Sequence, residues 1–536
     1  MKYIGFNNFR KFENFKNLEI APITLLVGGN NAGKSSVVKG ILAVSDFFNN
    51  RNNVLDIDMI ARDEDVREVL RAKKEALKDI KFSFNSSYLA HIGTFKRALF
   101  NKAKDSVITF RTDYGMYDLE IEVSGNRSDE ELVYGRVSKV RLSLDELDFH
   151  IEFDLNEDEA TLVFHHKSSE IAETNKHLPS VINLKEYFSG FTKDYSIICD
   201  ISSNWSPFRM DIIGSLMESV EMSIDATIYP DKIDRRDVGY RSLHPSPIAN
   251  IDNDTISFIK HYCKIIQKGP VGPRRYEGFR FPFIRVPLYR TANIEYLYAH
   301  AVTQTVIYSA KDTNDYLSKT IHEFAPLQSH KSKREFIIKW MKEFGIGQNF
   351  VIKSVGGEAH LVWIVNNDGE KVNLADKGMG TIQLMVLLFR LAITLPKISR
   401  KSLMFSDRFG KIVIIEEPEQ NLHPRLQSKL ADLFYDLYTN YGYRFLIETH
   451  SEYLIRRSQV IVAEANYESE EDLKKRNPFT VYYFDDKNEK EPYYQMEYEL
   501  SGAFKQKFGE GFFDEATKWD MTIIRKEFEI KKRNKK

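Results

Sequence analysis

Two groups of short motifs, one glycine-rich and one acidic, stand far apart in this 536-residue chain. Near the start is Gly28-Gly29-Asn30-Asn31-Ala32-Gly33-Lys34-Ser35, a GxxxxGKS loop. Downstream are Ile412-Val413-Ile414-Ile415-Glu416-Glu417-Pro418 and Ile447-Glu448-Thr449-His450-Ser451. In open α/β sheets ligands bind at the C-terminal ends of the strands, so such pieces must meet at one sheet edge. The sequence therefore requires one α/β head interrupted by a long insertion.

A bound triphosphate needs inward-pointing N–H groups, a cation and a metal ligand. Gly28 and Gly33 permit backbone conformations that a Cβ would obstruct. The N–H groups of Asn30, Asn31, Ala32 and the helix start at Ser36 are candidates to cradle phosphate. Lys34 is placed to reach the β- and γ-phosphates, and the Ser35 hydroxyl to ligate Mg²⁺. An apolar run at 23–27 predicts a buried strand before the loop. Apolar spacing over 35–48 predicts a helix after it.

The β-branched run Ile412 to Ile415 predicts a buried parallel strand ending in two carboxylates. Glu416 is the candidate for the Mg²⁺ shell, through water. Glu417 is the candidate to orient or deprotonate the attacking water. A second strand, 443–447, ends near His450, a candidate contact for the γ-phosphate or its water. A further glycine-rich turn, Asp376-Lys377-Gly378-Met379-Gly380-Thr381, opens an apolar helix over 384–395. A helix start of this kind is an anion site. Because the first loop serves the chain's own nucleotide, this second one suits a nucleotide held by another chain.

Together these motifs resemble the ABC-type ATPase heads of SMC, RecF and OLD (overcoming lysogenization defect) proteins. Phe6-Asn7-Asn8-Phe9-Arg10-Lys11-Phe12, the phosphate loop, the DKGMG turn, IIEEPEQNLHP and ETHS occur in that family's order. The resemblance implies ATP and Mg²⁺ as cofactors and a mixed sheet with an antiparallel β-subdomain. It also implies a dimer in which Gly378, Gly380 and Thr381 close on the partner's ATP. The family's metal-sensing loop would fall between Leu89 and Phe110, where His91 and Asn101 are candidates and no clear Gln stands. OLD nucleases carry a TOPRIM domain after the histidine motif. Here 86 residues follow His450, without the expected acidic set. The ending Gly509-Glu510-Gly511-Phe512-Phe513-Asp514-Glu515 resembles the Septu antiphage ATPase subunit, including its retron-associated versions. That resemblance implies a separate HNH nuclease as partner.

The chain carries 76 basic and 77 acidic residues, so no global field recruits nucleic acid or membrane. Cys199 and Cys263 lack metal-ligand spacing, and the first residues read into a strand, not a signal peptide; both point to the cytoplasm. The boundaries read from the pattern are an N-terminal lobe at 1–165 and a mostly helical insertion at 166–345. A C-terminal lobe at 346–480 and a small domain with a basic tail at 481–536 follow. Within 54–81 a charged, helix-like stretch reads as a solvated face. Between Lys264 and Arg290, seven cations interleave with aromatic rings. Single-stranded nucleic acid is one reading of that segment; the others are aromatics in a core and Gly272-Pro273-Arg274-Arg275 facing the nucleotide or a subunit contact. The chain as a whole reads as an ATPase controlling a partner effector. A RecF-like repair ATPase and an ATP-dependent scaffold with little turnover are the alternatives.

Overall fold

The computed structural model describes residues 3–50, 80–85, 92–114, 117–144, 149–155, 159–164, 195–200, 294–298, 308–309, 316–356, 359–395, 412–485, 488, 491–509, 512–513 and 515–533. Most of the charged stretch 54–81, together with His91 and the whole of 264–290, lies outside them. The chain forms two compact units, Met1–Glu19 with Lys39–Ala292, and Ile20–Val38 with Asn293–Lys536. These cuts differ from the boundaries read along the sequence, because sheets recruit strands from distant segments.

The first unit holds β1 (Tyr3–Phe9), β2 (Phe12–Glu19), β4 (Lys81–Ser83), β5 (Val107–Tyr114), β6 (Tyr117–Ser124), β7 (Tyr134–Leu144), β8 (Phe149–Asp154), β9 (Glu159–Phe164) and β10 (Tyr195–Asp200). The second holds β3 (Ile23–Gly28), β11 (Ile294–Tyr298), β12 (Tyr308–Ser309), β13 (Asn349–Val355), β14 (Ala359–Val365), β15 (Lys371–Asn373), β16 (Ile412–Glu416), β17 (Arg444–Glu448), β18 (Phe479–Phe484) and β19 (Tyr493–Met496). The helices in chain order are α1 (Lys34–Asn50), α2 (Phe95–Ala98), α3 (Tyr316–Phe324), α4 (Lys331–Glu343), α5 (Met379–Thr394), α6 (Pro424–Tyr441), α7 (Glu452–Glu464), α8 (Glu470–Arg476) and α9 (Glu515–Arg533). Among the described residues no helix is long and apolar enough to cross a membrane.

In the first unit the strands run antiparallel in the order β10-β9-β8-β7-β6-β5-β1-β2, with β4 beside β7. One-sided burial is written in β6, where Leu119, Ile121 and Val123 are buried and Glu120 and Glu122 are half-buried. Phenylalanines fill the covered face: Phe82 stacks on Phe110 at 4.8 Å and Phe6 on Phe15 at 5.3 Å. This is the antiparallel sheet expected from the alternation over 106–164.

The second unit is built on the sheet β11-β16-β17-β3-β18-β19, parallel except for the last pair. All six residues of β3 are buried, which fits its central position, flanked by β17 and β18. Register sets Glu416 beside Glu448, and Glu448 beside Leu26. The loop after β3 and both acidic strand ends thus reach the same edge. The α/β head expected from the sequence is the fold found.

Helix α5 is apolar nearly all round and is buried at ten positions between Ile382 and Ala392. Its last carbonyls lack the usual partner four residues on, and Ala392 keeps only a 3.3 Å bond from the N–H of the C-cap Leu395. Lys333 on α4, itself buried, donates to the carbonyl oxygens of Ala392 at 2.5 Å, Ile393 at 2.8 Å and Leu395 at 3.3 Å. A cation there also complements the helix dipole. Lys333→Met keeps the apolar stem and removes the ammonium. The expected loss is about 2 kcal/mol of unfolding free energy, the usual worth of hydrogen bonds from a charged group. Denaturant melts of the two proteins check it, and an unchanged midpoint would contradict the capping role.

Candidate nucleotide site

The loop geometry follows from its glycines. Gly28 sits at φ +144°, and a Cβ there would lie 2.3 Å from the carbonyl oxygen of Phe484 on β18. Only glycine lets β3 turn out of the sheet so close to its neighbour. Gly33 takes φ 111° and Asn31 φ 61°, while Asn30 and Asn31 are exposed, as is Ser35. Ala32 and Ser36 are buried, and the Ser36 N–H donates to the Gly33 carbonyl as α1 begins. Lys34 is only 3% exposed; its ammonium donates to the carbonyl oxygens of Gly28 and Gly29, each at 2.9 Å. Burial holds its pKa below the ordinary lysine value, and Glu448, Glu417 and Glu419 partly offset this.

Opposite the loop stand the acids. Ser35 Oγ donates to Glu448 Oε1 at 2.9 Å, and Lys34 Nζ lies 3.9 Å from the same oxygen. Burial and the nearby Glu416 push the Glu448 carboxyl up to about 7, against the pull of Lys34 and Ser35. Its second oxygen is buried without a hydrogen-bond partner. Glu417 takes φ 46°, an uncommon left-handed conformation for a side chain of this kind. Its N–H donates to the Glu448 carbonyl at 2.7 Å, and its carboxylate accepts from the Gln420 amide. His450 Nε2 lies 3.8 Å from Glu417 Oε1, and the His450 N–H donates to Glu419 Oε1 at 2.6 Å. Burial lowers the His450 pKa, Lys34 lowers it further and Glu417 partly restores it. Ligand atoms of Glu417, Glu448 and His450 lie within 4.8 Å of one another, the one such acid and histidine group among the described residues.

The donor set suits Mg²⁺. Ser35, Glu416 and Glu448 offer hard oxygen atoms, the kind that Mg²⁺ takes, and a cation would relieve the buried, unpartnered oxygen of Glu448. Of the residues singled out in the sequence, Gly28 through Ser36, Glu416, Glu417 and His450 converge on this edge. Glu448 was quoted within ETHS without a role. Only the in-register pairing of β16 and β17 reveals it as the acid against Ser35.

The second glycine-rich turn caps α5. Gly378 is the N-cap, at φ −63°, exposed and with open space where a Cβ would be. Its carbonyl accepts from the N–H groups of Thr381 and Ile382. Gly380 is tightly packed instead: a Cβ would fall 2.5 Å from the carbonyl oxygen of Asn421. Asn101 lies in the first unit, exposed, with its carbonyl accepting from Arg127.

A GKS loop on a central parallel strand, faced by buried acids from its neighbours, defines a P-loop nucleotide hydrolase. Residues 1–455 match the AAA ATPase domain family (AAA_15), and the chain belongs to that family, an ATP-binding ATPase. No curated protein matches the sequence. Among solved structures it is similar to the Smc head domain of Pyrococcus furiosus with an extended coiled coil, bound to the C-terminal domain of ScpA. Identity is 8%, coverage 92% of this chain and 96% of that one, and TM-score 0.30. The SMC head domain from Thermotoga maritima also aligns, at 8% identity, 85% and 91% coverage and TM-score 0.28. Likeness at this level transfers neither partner nor activity.

Glu448→Gln tests the unforeseen acid. It keeps the shape and removes the charge that Ser35 and Mg²⁺ would share. Binding of a fluorescent ATP analogue should then need roughly tenfold more Mg²⁺ for half saturation, the scale of a disturbed metal environment. The melting temperature should hold or rise, because a buried carboxyl is replaced by an amide. An unchanged Mg²⁺ requirement would remove Glu448 from the site.

Proposed function

We propose that this ATPase closes as a homodimer, or within a higher homo-oligomer, on two Mg²⁺-ATP molecules and thereby controls a partner effector. The observation carrying this reading is the convergence of Lys34, Ser35, Glu417, Glu448 and His450 on one sheet edge. Lys34 neutralises the β/γ-phosphates, and the loop N–H groups cradle them. Mg²⁺, held by Ser35 and Glu416 with Glu448 beside them, would offset the charge on the phosphates when bound. Glu417, with its amide fixed by the Glu448 carbonyl, orients the attacking water and takes its proton. His450, kept neutral by burial beside Lys34, donates to or accepts from the γ-phosphate and that water.

The effector is a separate nuclease, of HNH type, in bacterial antiphage defence. The motif order and the ending at 509–515 support this reading through their resemblance to the Septu ATPase subunit. The chain itself is not the nuclease: its sequence after His450 offers no Glu plus Asp-x-Asp set for a metal clamp. A gene neighbour encoding an HNH protein or a reverse transcriptase would agree with this placement; recombination genes in its place would favour a RecF-like role. Glu417→Gln should bind ATP within about threefold of wild type while kcat falls on the order of a hundredfold or more. The same wild-type preparation should leave DNA and RNA uncut with Mg²⁺ or Mn²⁺. Wild-type turnover in the variant would refute the role of Glu417, and cleavage surviving repurification would refute the division of labour.

The composite site is tested at Gly378 rather than Gly380, since a side chain at 380 would collide with Asn421 in its own chain. Gly378→Asp occupies open space at an N-cap, where aspartate is favoured. It should leave folding intact yet place a negative charge where the partner's γ-phosphate must come. Hydrolysis should fall at least roughly tenfold, the factor for 1.4 kcal/mol of repulsion. Mixing this variant with Lys34→Ala should recover activity by assembling one intact site per dimer. Full activity of Gly378→Asp alone would exclude the trans contact.

A further inference from the structure

Helix α9 presents six large apolar side chains to solvent. Trp519, Met521, Ile523, Ile524, Phe528 and Ile530 are each 51–69% exposed. Apolar exposure so concentrated on one element marks an interaction surface. At 100° per residue they form two stripes on nearly opposite sides: Met521, Ile524 and Phe528 on one, Trp519, Ile523 and Ile530 on the other.

The flanking charges separate the two. With Met521 and Phe528 at heptad position a and Ile524 at d, Lys518 and Arg525 fall at e, and Asp520 and Glu527 at g. One flank is basic and the other acidic. In a parallel pair of such helices, each g residue faces the e residue five positions on in the other copy; in an antiparallel pair like flanks meet. Asp520 would therefore oppose Arg525 of a second copy, and Arg525 its Asp520. The other stripe fails this test: with Ile523 and Ile530 at a, Lys526 falls at d inside the seam, and Asp520 and Glu527 at e face no cation at g, where Thr522 and Glu529 stand. We propose that α9 pairs in parallel with α9 of a second copy through the Met521, Ile524 and Phe528 stripe. The pairing does not depend on nucleotide. It is a contact beyond ATP-driven closure, and the Trp519 stripe remains on its outer side. A seam of so few heptads is weak alone, so its strength comes from the full chain holding two copies together.

The test uses the full chain without nucleotide, with Cys199→Ser and Cys263→Ser as background. Met521→Cys and Phe528→Cys, made separately, should each oxidise to a disulfide-linked dimer. The yield should be roughly tenfold above Lys526→Cys, which lies on the far side of the seam. Asp520→Lys in the Met521→Cys protein should abolish that excess, and adding Arg525→Glu should restore it. Restoration by the double exchange requires the residues to meet across copies; a role within one helix would not give it. Crosslinking only when the 521 and 528 variants are mixed would show antiparallel pairing and overturn the proposal. So would yields no higher than the Lys526→Cys control, or a double exchange as weak as the single. Because no ATP is present, failure here leaves nucleotide-driven closure untouched.

Discussion

The interaction on which the site depends is the meeting of buried Lys34 and buried Glu448, with Ser35 bonded to the same carboxylate from the exposed side. An ammonium and a carboxylate removed from water are each costly alone, and their mutual attraction offsets part of that cost. Here the balance is incomplete: Lys34 sits below its ordinary pKa, and Glu448 is raised to about 7. Both residues are held in their less charged direction by burial. Phosphate and a divalent cation bring the opposite charges that each lacks, so the unrelieved electrostatics match the ligand chemistry of the family.

That meeting fixes the sheet order. Glu448 reaches Ser35 only because β17 lies directly beside β3, with Glu448 paired to Leu26. Glu416 comes next to it only because β16 lies on the other side of β17. On its far side β3 is closed by β18, whose Phe484 carbonyl comes so near Gly28 that no side chain fits. The loop is thus clamped between an acid strand and a backbone carbonyl, and the positive φ at Gly28 is a consequence of that clamp.

Elements with strong local signals were legible in the sequence: the loop between β3 and α1, the β-branched β16, the apolar α5 and the alternating strands over 106–164. The loop residues and Glu417 with His450 were legible because their types and order leave few other uses. Glu448 was not. It stands at a strand end, where a lone acid is unremarkable, and its partner Ser35 is distant in sequence. Nor does local pattern tell which strand neighbours which: β11 and β18 join the core sheet from segments read as insertion and C-terminal domain. The basic tail is helical to Arg533, and its heptad is hidden in the sequence by a second apolar stripe on the other side.

The glycine-rich turn and the turn that follows the acid strand β16 meet within one chain. Gly380, in the first turn of α5, packs on the carbonyl of Asn421, and Asn421 Nδ2 donates to Gln383 Oε1 one turn further on at 3.3 Å. Asn421 takes φ 58°, as Glu417 takes φ 46°, and both lie in the turn that follows β16. Asparagine adopts a left-handed backbone readily, but for a glutamate such a conformation persists only where surrounding contacts hold it. The Glu448 carbonyl is one such contact, accepting from the Glu417 N–H, and the Gln420 amide is another, donating to the Glu417 carboxylate. The packing of Gly380 on Asn421 leaves no room for a side chain at 380, so the start of α5 and the turn after β16 fit together only with glycine there. The carboxylate of Glu417 is four residues from that contact along one short turn. Its alignment therefore depends on both ends of the turn, one answering to the chain's own phosphate loop and the other to the helix start that faces outward.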